Sequence, residues 1–285
     1  MQTIKTENLT EINVPSFWKA DYFSYVPPIF ITLILLTGQI YYGILDSYLN
    51  VVLAIATSVI AEMILAKVIL GTRKNLASAY VTGISVGILI RSNMVWPYVV
   101  AALLSILSKY VIQYKGRHIW NPSNFGVSWM LFMAPVYVAG LSMQWGNYVL
   151  PMSIIWMLGL GIVYRAKKLH ISVTYVVSFI ILAYVRSLIT GDAFLAELSP
   201  LTGPMYQLFV FFMVTDPGTA VSSKKWQVIV VILVALVEFV LRLQGVIYAP
   251  FFALFLVGPA ARFIDLRNLS MKAKLKANER IALIN

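Results

Sequence analysis

The 285 residues are 60% hydrophobic and 12% charged, with a mean hydropathy of +0.83 and a formal charge of +11, against about 25% charged residues in a typical soluble domain. So much apolar surface excludes an ordinary soluble globule and calls for lipid as solvent. The lack of any cysteine excludes disulfides, thiolate metal sites, thioether-linked haem and iron–sulfur ligation by this chain.

Residues 1–24 mix Lys5 and Lys19 with Glu7, Glu11 and Asp21 and show no basic start followed by an apolar run, so a cytoplasmic segment is expected there rather than a cleaved signal. Ten apolar segments follow, at 25–44, 49–70, 76–90, 96–114, 125–140, 148–164, 171–190, 201–215, 226–242 and 247–264. They form a single transmembrane domain, 25–264, ahead of a basic cytoplasmic tail, 265–285. Loops after even-numbered segments carry Arg73 and Lys74, then Lys115 and Arg117, then Arg165, Lys167 and Lys168, then Lys224 and Lys225. Loops after odd-numbered segments carry Asp46, Arg91, no charge, and then Asp192 and Glu197. This alternation puts both termini and the even loops on the cytoplasmic side of the inner membrane. It also assigns the positive charge to an anionic lipid surface rather than to nucleic acid.

Segments three and eight are short and interrupted by small or polar residues: Ser78, Thr82, Gly83, Ser85 and Gly87 in one, Thr202, Gly203, Pro204 and Gln207 in the other. At 1.5 Å per residue each reaches only about 23 Å, so both read as broken or half-crossing helices. They lie five segments apart, and a five-crossing repeat sets its second copy upside down. The halves are then 25–140 and 148–264. The stretches SKYVIQYKGRHIWNP and VEFVLRLQGVIYAP add faint support: Lys109 precedes Gly116, and Glu238 precedes Gly245, by the same interval, and each stretch runs on to a proline, Pro122 or Pro250.

Three polar groupings stand out. The first links segments four and five and contains His118, Asn121, Pro122, Ser123 and Asn124, which suit either a capped cytoplasmic turn or the wall of a polar cavity. The second, Thr215, Asp216, Pro217, Gly218 and Thr219, follows segment eight; it is either a plain Asp-Pro-Gly turn or an ion or ligand contact at the end of a half-helix. The third comprises the ionisable residues Lys109, Glu238, Arg186 and Arg242 within segments, with Arg91 beside segment three. Charges at depth face a bundle interior and find partners. Arg186 and Arg242 are near enough to the outer ends to be expected to snorkel. Lys109 and Glu238 lie deeper, and either polarise a central site or anchor the short helix beside them.

Walker A, GxGxxG, HExxH and nucleophile-elbow patterns are absent. His118 and His170 are not paired at helical spacing with any other histidine, so bis-histidine haem is not expected. Tryptophans such as Trp96, Trp120, Trp129, Trp145, Trp156 and Trp226 mostly fall near segment ends, as an interfacial belt would.

KGRHIWNPSNFG resembles the GKHxFNPxxxG loop, and FFMVTDPGTA the FFMATDPVT stretch, of the D subunit of Rnf electron-transport complexes and the B subunit of the sodium-translocating NADH:quinone reductase. The resemblance runs on through GISVGILIR and EFVLRLQGVIYAPFFALFLVGPAARFID, and is to the short, stand-alone type. It implies an all-α, urea-transporter-like fold of about ten helices in two inverted five-helix repeats, with short helices three and eight at the centre. It also implies a membrane subunit of a flavin-linked electron-transfer system. Family members carry FMN esterified to a threonine of a Ser-Gly-Ala-Thr type motif, which this chain lacks: Thr190 sits in ITGDAF and Thr57 in an apolar helix. That argues against covalent FMN and for FMN or riboflavin held non-covalently, by His118, Asn121, Pro122, Asn124, Thr215, Asp216 and Thr219, or carried by a flavinylated or other redox partner. A small-solute channel or transporter and an assembly scaffold remain the alternatives.

Overall fold

The computed structural model describes residues 25–282 apart from 44, 46, 73, 115 and 141–148. The N-terminal segment, the loop charges Asp46, Arg73 and Lys115, and Trp145 lie outside the described residues. The chain is a helical membrane protein: α1 (Val26–Tyr42), α2 (Tyr48–Leu70), α3 (Ala77–Leu89), α4 (Trp96–Val111), α5 (Pro122–Met133), α6 (Val149–Arg165), α7 (Leu169–Thr190), α8 (Phe194–Leu198), α9 (Pro204–Leu208), α10 (Lys224–Leu243) and α11 (Ala249–Ala282). Four of them, α2, α7, α10 and the first 24 residues of α11, are long and apolar enough to cross a bilayer.

The outer faces are hydrocarbon. Val52, Ile60, Met63 and Val68 of α2 and Val173, Val177, Ile181 and Leu188 of α7 are exposed, whereas Asn50, Ser58 and Glu62 of α2 turn inward and are buried. A surface that hides its polar groups and presents its aliphatic ones is stable only against lipid.

The helices cross closely where glycine replaces a side chain. A Cβ on Gly83 of α3 would stand 2.6 Å from the Ile55 Cα, and one on Gly87 would stand 3.0 Å from the Val51 Cα, so α2 and α3 touch backbone to backbone. Gly126 does the same for α5 against α4, with the Ala101 carbonyl oxygen 2.2 Å from where its Cβ would lie. In the first half α2 packs on α3 and α4, and α4 on α5; in the second α10 packs on α7 and α11; α1 lies against α6.

The eighth apolar segment is a broken helix, as its residues predict. A 3-10 turn (Ser199–Thr202) leads into α9, which passes directly into a π-helical turn (Phe209–Met213). The fifth segment departs from expectation: α5 starts earlier, at Pro122, and stops at Met133. The chain then forms a short strand, β4 (Ala139–Gly140), antiparallel to β1 (Ile90–Arg91). The loop between α4 and α5 is a hairpin of β2 (Gln113–Tyr114) and β3 (Arg117–His118), turned by Gly116 at φ +73°. Helix α11 continues past the apolar segment to Ala282.

Candidate functional site

Asn121 sets the start of α5. Its backbone is extended (φ −62°, ψ 123°), and its side-chain oxygen accepts the Asn124 N–H at 3.0 Å and the Ser123 hydroxyl at 2.9 Å, an N-cap followed by Pro122 in the first turn. Beyond the cap, Asn124 turns toward α11, where its amide and the Ser128 hydroxyl each donate to the Phe251 carbonyl at 3.3 Å. A further tie follows from Pro259 inside α11. Proline has no N–H for the carbonyl four residues back, that of Phe255, and the Trp120 indole donates to this oxygen instead, at 3.0 Å. The hairpin and the start of α5 are thereby fastened to α11.

The second polar motif is shaped by its own aspartate. The Asp216 carboxylate accepts the Gly218 N–H at 3.0 Å and the Thr219 hydroxyl at 2.8 Å, closing the turn, while the Thr215 hydroxyl donates back to the Phe211 carbonyl at 2.7 Å. Arg262 of α11 grips the loop from outside, donating to the carbonyls of Ala220 at 2.9 Å and Gly218 at 3.1 Å. Asp265 holds Ser222 in the same way, through its backbone N–H and hydroxyl.

These two motifs, about a hundred residues apart in sequence, meet at a cavity of about 850 Å³. His118, Asn121, Pro122 and Ser123 of the first motif and Thr215, Asp216, Pro217 and Gly218 of the second all line it. Ser78, Thr82 and Ser85 of α3 face it at helical spacing, and Phe211, Phe212 and Arg165 are also among its lining residues. Of the residues singled out from sequence, Asn124 and Thr219 stand behind these walls, the first bonded to α11 and the second to Asp216. His118 packs against Gly218, where an added Cβ would stand 2.8 Å from its Nε2. Burial pushes the His118 imidazole below the usual histidine range; Asp216 opposes this, and Lys109, Arg262 and Lys74 reinforce it.

Lys109, Glu238, Arg186 and Arg242, the ionisable residues within the segments, are all paired. Lys109 is buried and donates to Glu62 of α2 at 2.6 Å and to the Ser78 hydroxyl at 3.3 Å, so it contacts the cavity wall from behind; Tyr110 donates to the other Glu62 oxygen at 2.8 Å. Glu238 lies about 21 Å along α10 from Lys224, beside the cavity loop, as 14 residues of helical rise give. It accepts from the hydroxyls of Tyr175 and Tyr206 and from the Arg242 Nε at 3.0 Å. Arg91 belongs to β1, opposite Ala139, away from the cavity lining.

Arg186 and Arg242 do not snorkel outward. Arg186 is 4% exposed and ion-paired with Glu197, Arg242 is paired with Glu238, and both guanidinium groups stack on Phe179 at 5.9 and 5.5 Å. Two carboxylates within reach offset two guanidinium groups, so facing inward costs less than crossing lipid unpaired.

Sequence reading did not find Glu62, Arg262, Tyr175 or Tyr206. Glu62 carried a signal, being the one acidic residue in the run from 49 to 70. Among the described residues no three His, Asp or Glu side chains gather as a metal site.

Over 133 residues the chain is 30% identical to the D subunit of the ion-translocating oxidoreductase complex of Cronobacter sakazakii. The match covers 46% of this chain and 35% of that protein, so the chain spans about a third of the length of the curated relative it matches. No protein-family model matches the chain.

Proposed function

We propose that this chain is the membrane subunit of an electron-transfer system, of the short stand-alone type, and that its cavity holds FMN or riboflavin non-covalently or receives the flavin of a partner protein. One observation carries the reading: the two motifs that resemble the D subunit of such complexes line the same cavity. Its volume falls in the range of about 300–1,000 Å³ that small-molecule sites occupy. Phe211 and Phe212 offer apolar surface to a ring system, and Asn121, Ser123, Thr82 and neutral His118 offer hydrogen-bonding groups at its edge. The likeness to one subunit of an ion-translocating oxidoreductase complex supports a place in a multi-subunit assembly.

The same reading includes ten crossings in two inverted repeats. It is supported by the matching short elements α3 and α9, by the parallel packing of α4 on α2 and α10 on α7, and by the positive-φ glycines Gly116 and Gly245 that follow α4 and α10. Lys74, Arg117, Arg165 and Lys168 flank the cavity end, which the positive-inside rule assigns to the cytoplasm of the inner membrane.

The test is an absorbance spectrum of protein purified in mild detergent, with titration of FMN and riboflavin into the colourless fraction. Flavin bands released by denaturation, or saturable flavin binding lost in Asp216→Asn combined with Asn121→Leu, are expected. A protein that binds no flavin, captures no redox partner and yet conducts a small solute into proteoliposomes would be a channel or transporter, and the proposal would fall.

A further inference from the structure

Three hydroxyls on one face of α3 line the cavity: Ser78, Thr82 and Ser85, the first and last about 10 Å apart along the axis, as seven residues of helical rise give. They differ in what the protein leaves open on them. The Thr82 hydroxyl donates to the Ser78 carbonyl at 2.9 Å, so its hydrogen is used within the helix. The Ser78 oxygen accepts from the Lys109 ammonium at 3.3 Å, which turns the hydroxyl hydrogen away from Lys109, and no acceptor for that hydrogen occurs among the described residues. Ser85 is 4% exposed, yet its hydroxyl meets no donor or acceptor among the described residues. It is not sealed into the packing as the Ser58 hydroxyl of α2 is, and the space it opens on is the cavity. A buried hydroxyl is costly to leave unmet, so its partner is to be sought in what fills that space.

The lining changes character from the mouth inward. Asn75 just before α3, Arg165 at the end of α6 and Asp216 after the broken helix lie at chain ends and mark the mouth, with Ser78 in the first turn of α3 beside them. Ser85 is the ninth of the 13 residues of α3, about two turns in, and Phe211 and Phe212 lie about one turn in from Asp216. An isoalloxazine ring is apolar on both faces and at its dimethylbenzene end, and its carbonyls and imide N–H gather on the pyrimidine edge. A ribityl chain carries hydroxyls and suits the polar mouth. Resting on the flavin reading, we propose that the ring enters first and that Ser85 hydrogen-bonds its pyrimidine edge, while Ser78, held by Lys109, donates to a ribityl oxygen nearer the mouth. Helix α3 then supplies a recognition face beyond the two loop motifs, to which neither serine belongs.

The experiment uses the full chain in lipid nanodiscs, freed of any flavin it carries, and titrates it with riboflavin and with lumiflavin, which has a methyl group in place of the ribityl chain. Alanine is at least as good a helix former as serine and removes a single oxygen, so serine-to-alanine variants keep the fold, as melting temperatures will check. Loss of one hydrogen bond in Ser85→Ala should raise the dissociation constants of both flavins by about tenfold. Ser78→Ala should raise that of riboflavin by about fivefold and leave that of lumiflavin unchanged. Ser58→Ala, a buried serine outside the cavity, should change neither. Wild-type affinity for lumiflavin in Ser85→Ala would overturn the proposal, leave water as the partner of Ser85 and let the flavin reading stand. Equal losses for the two flavins in Ser78→Ala would overturn the orientation in the same way. A wild-type chain that binds neither flavin would instead bring down the flavin reading, and this proposal with it.

Discussion

The Lys109 ammonium stands 2.6 Å from a Glu62 oxygen, both side chains being almost wholly buried, and the same ammonium reaches the Ser78 hydroxyl of the short helix α3. This pair joins α2, α3 and α4 just behind the cavity. Removing one partner leaves an uncompensated buried charge, a loss of about 3 to 5 kcal/mol, whereas removing both costs far less. Lys109→Met and Glu62→Gln are therefore each expected to lower thermal stability strongly in nanodiscs, and the double variant to recover most of it. Additive losses in the double-mutant cycle would show that the pair contributes nothing as a pair.

Glu238 is the centre of another buried polar cluster. It ties α10 to α7 through Tyr175 and to the broken helix through Tyr206, with Arg242 as counter-ion. Glu238→Gln leaves the Arg242 charge unbalanced and should destabilise by about 3 kcal/mol or more, while Tyr175→Phe, which removes one hydrogen bond to a charged group, should cost about 1.5 to 3 kcal/mol. Because this cluster lies near the opposite end of α10 from the cavity loop, neither variant should change ligand binding in the cavity of the surviving folded fraction. A binding defect in Tyr175→Phe with stability intact would instead place Glu238 in the functional machinery.

The extent to which this was legible in sequence differs from helix to helix. Helix α2 begins at Tyr48 where the apolar run predicts Leu49, and both end at Leu70, because a long hydrocarbon run reports its own length. The break in segment eight was visible in Gly203 and Pro204, which cannot sustain a regular helix with the residues around them. The partners of Lys109, Arg186 and Arg242 were not visible. A pairing across helices depends on which faces meet, and a segment apolar all round carries little periodicity to reveal that. The early end of α5 did carry a local signal: Pro135 has no N–H for the Leu131 carbonyl and disfavours helical backbone at Ala134, so the helix stops at Met133 although Ala134 to Gly140 is nearly as apolar as the helix before it, and the chain goes on to pair β4 with β1. In the candidate site, both polar motifs close local turns, as Asp-Pro-Gly and Asn-Pro chemistry announces, and both also contribute residues to the cavity lining. Asn121 caps α5 and is also among the cavity-lining residues, whereas the Arg262 clamp, more than forty residues downstream of the loop it holds, had no local signature.

The pH dependence of stability follows from His118. Its folded-state affinity for protons is lowered chiefly by burial, so between its folded pKa and the ordinary value of about 6.5 the unfolded chain binds a proton that the folded chain refuses. Stability is therefore full above about pH 6.5 and falls as pH drops through that value toward the folded pKa. Thermal melts at pH 7.5 and 5.5 should show a larger loss for wild type than for His118→Gln. Asp216→Asn removes the one neighbour named above that favours the imidazolium, and should steepen the loss. An identical pH dependence in wild type and His118→Gln would remove His118 from the account.

Gly126 tests how closely α4 and α5 must approach. A Cβ there would fall 2.1 Å from the Ser105 hydroxyl and 2.2 Å from the Ala101 carbonyl oxygen, and the second obstacle is backbone that cannot swing aside. Gly126→Ala must push α5 away from α4 at a cost of about 1 to 3 kcal/mol, and because α5 begins at the Asn121 cap, the displacement is carried into the cavity wall. Gly258→Ala provides the control: its Cβ would come no nearer than 3.3 Å, to the flexible end of Leu254, and the site is helical, so alanine there should be neutral or mildly stabilising. The expected outcome is a lowered melting temperature and weakened cavity binding for Gly126→Ala alone. Equal behaviour of the two variants would mean that α5 can slide on α4, and that the close crossing does not set the position of Asn121.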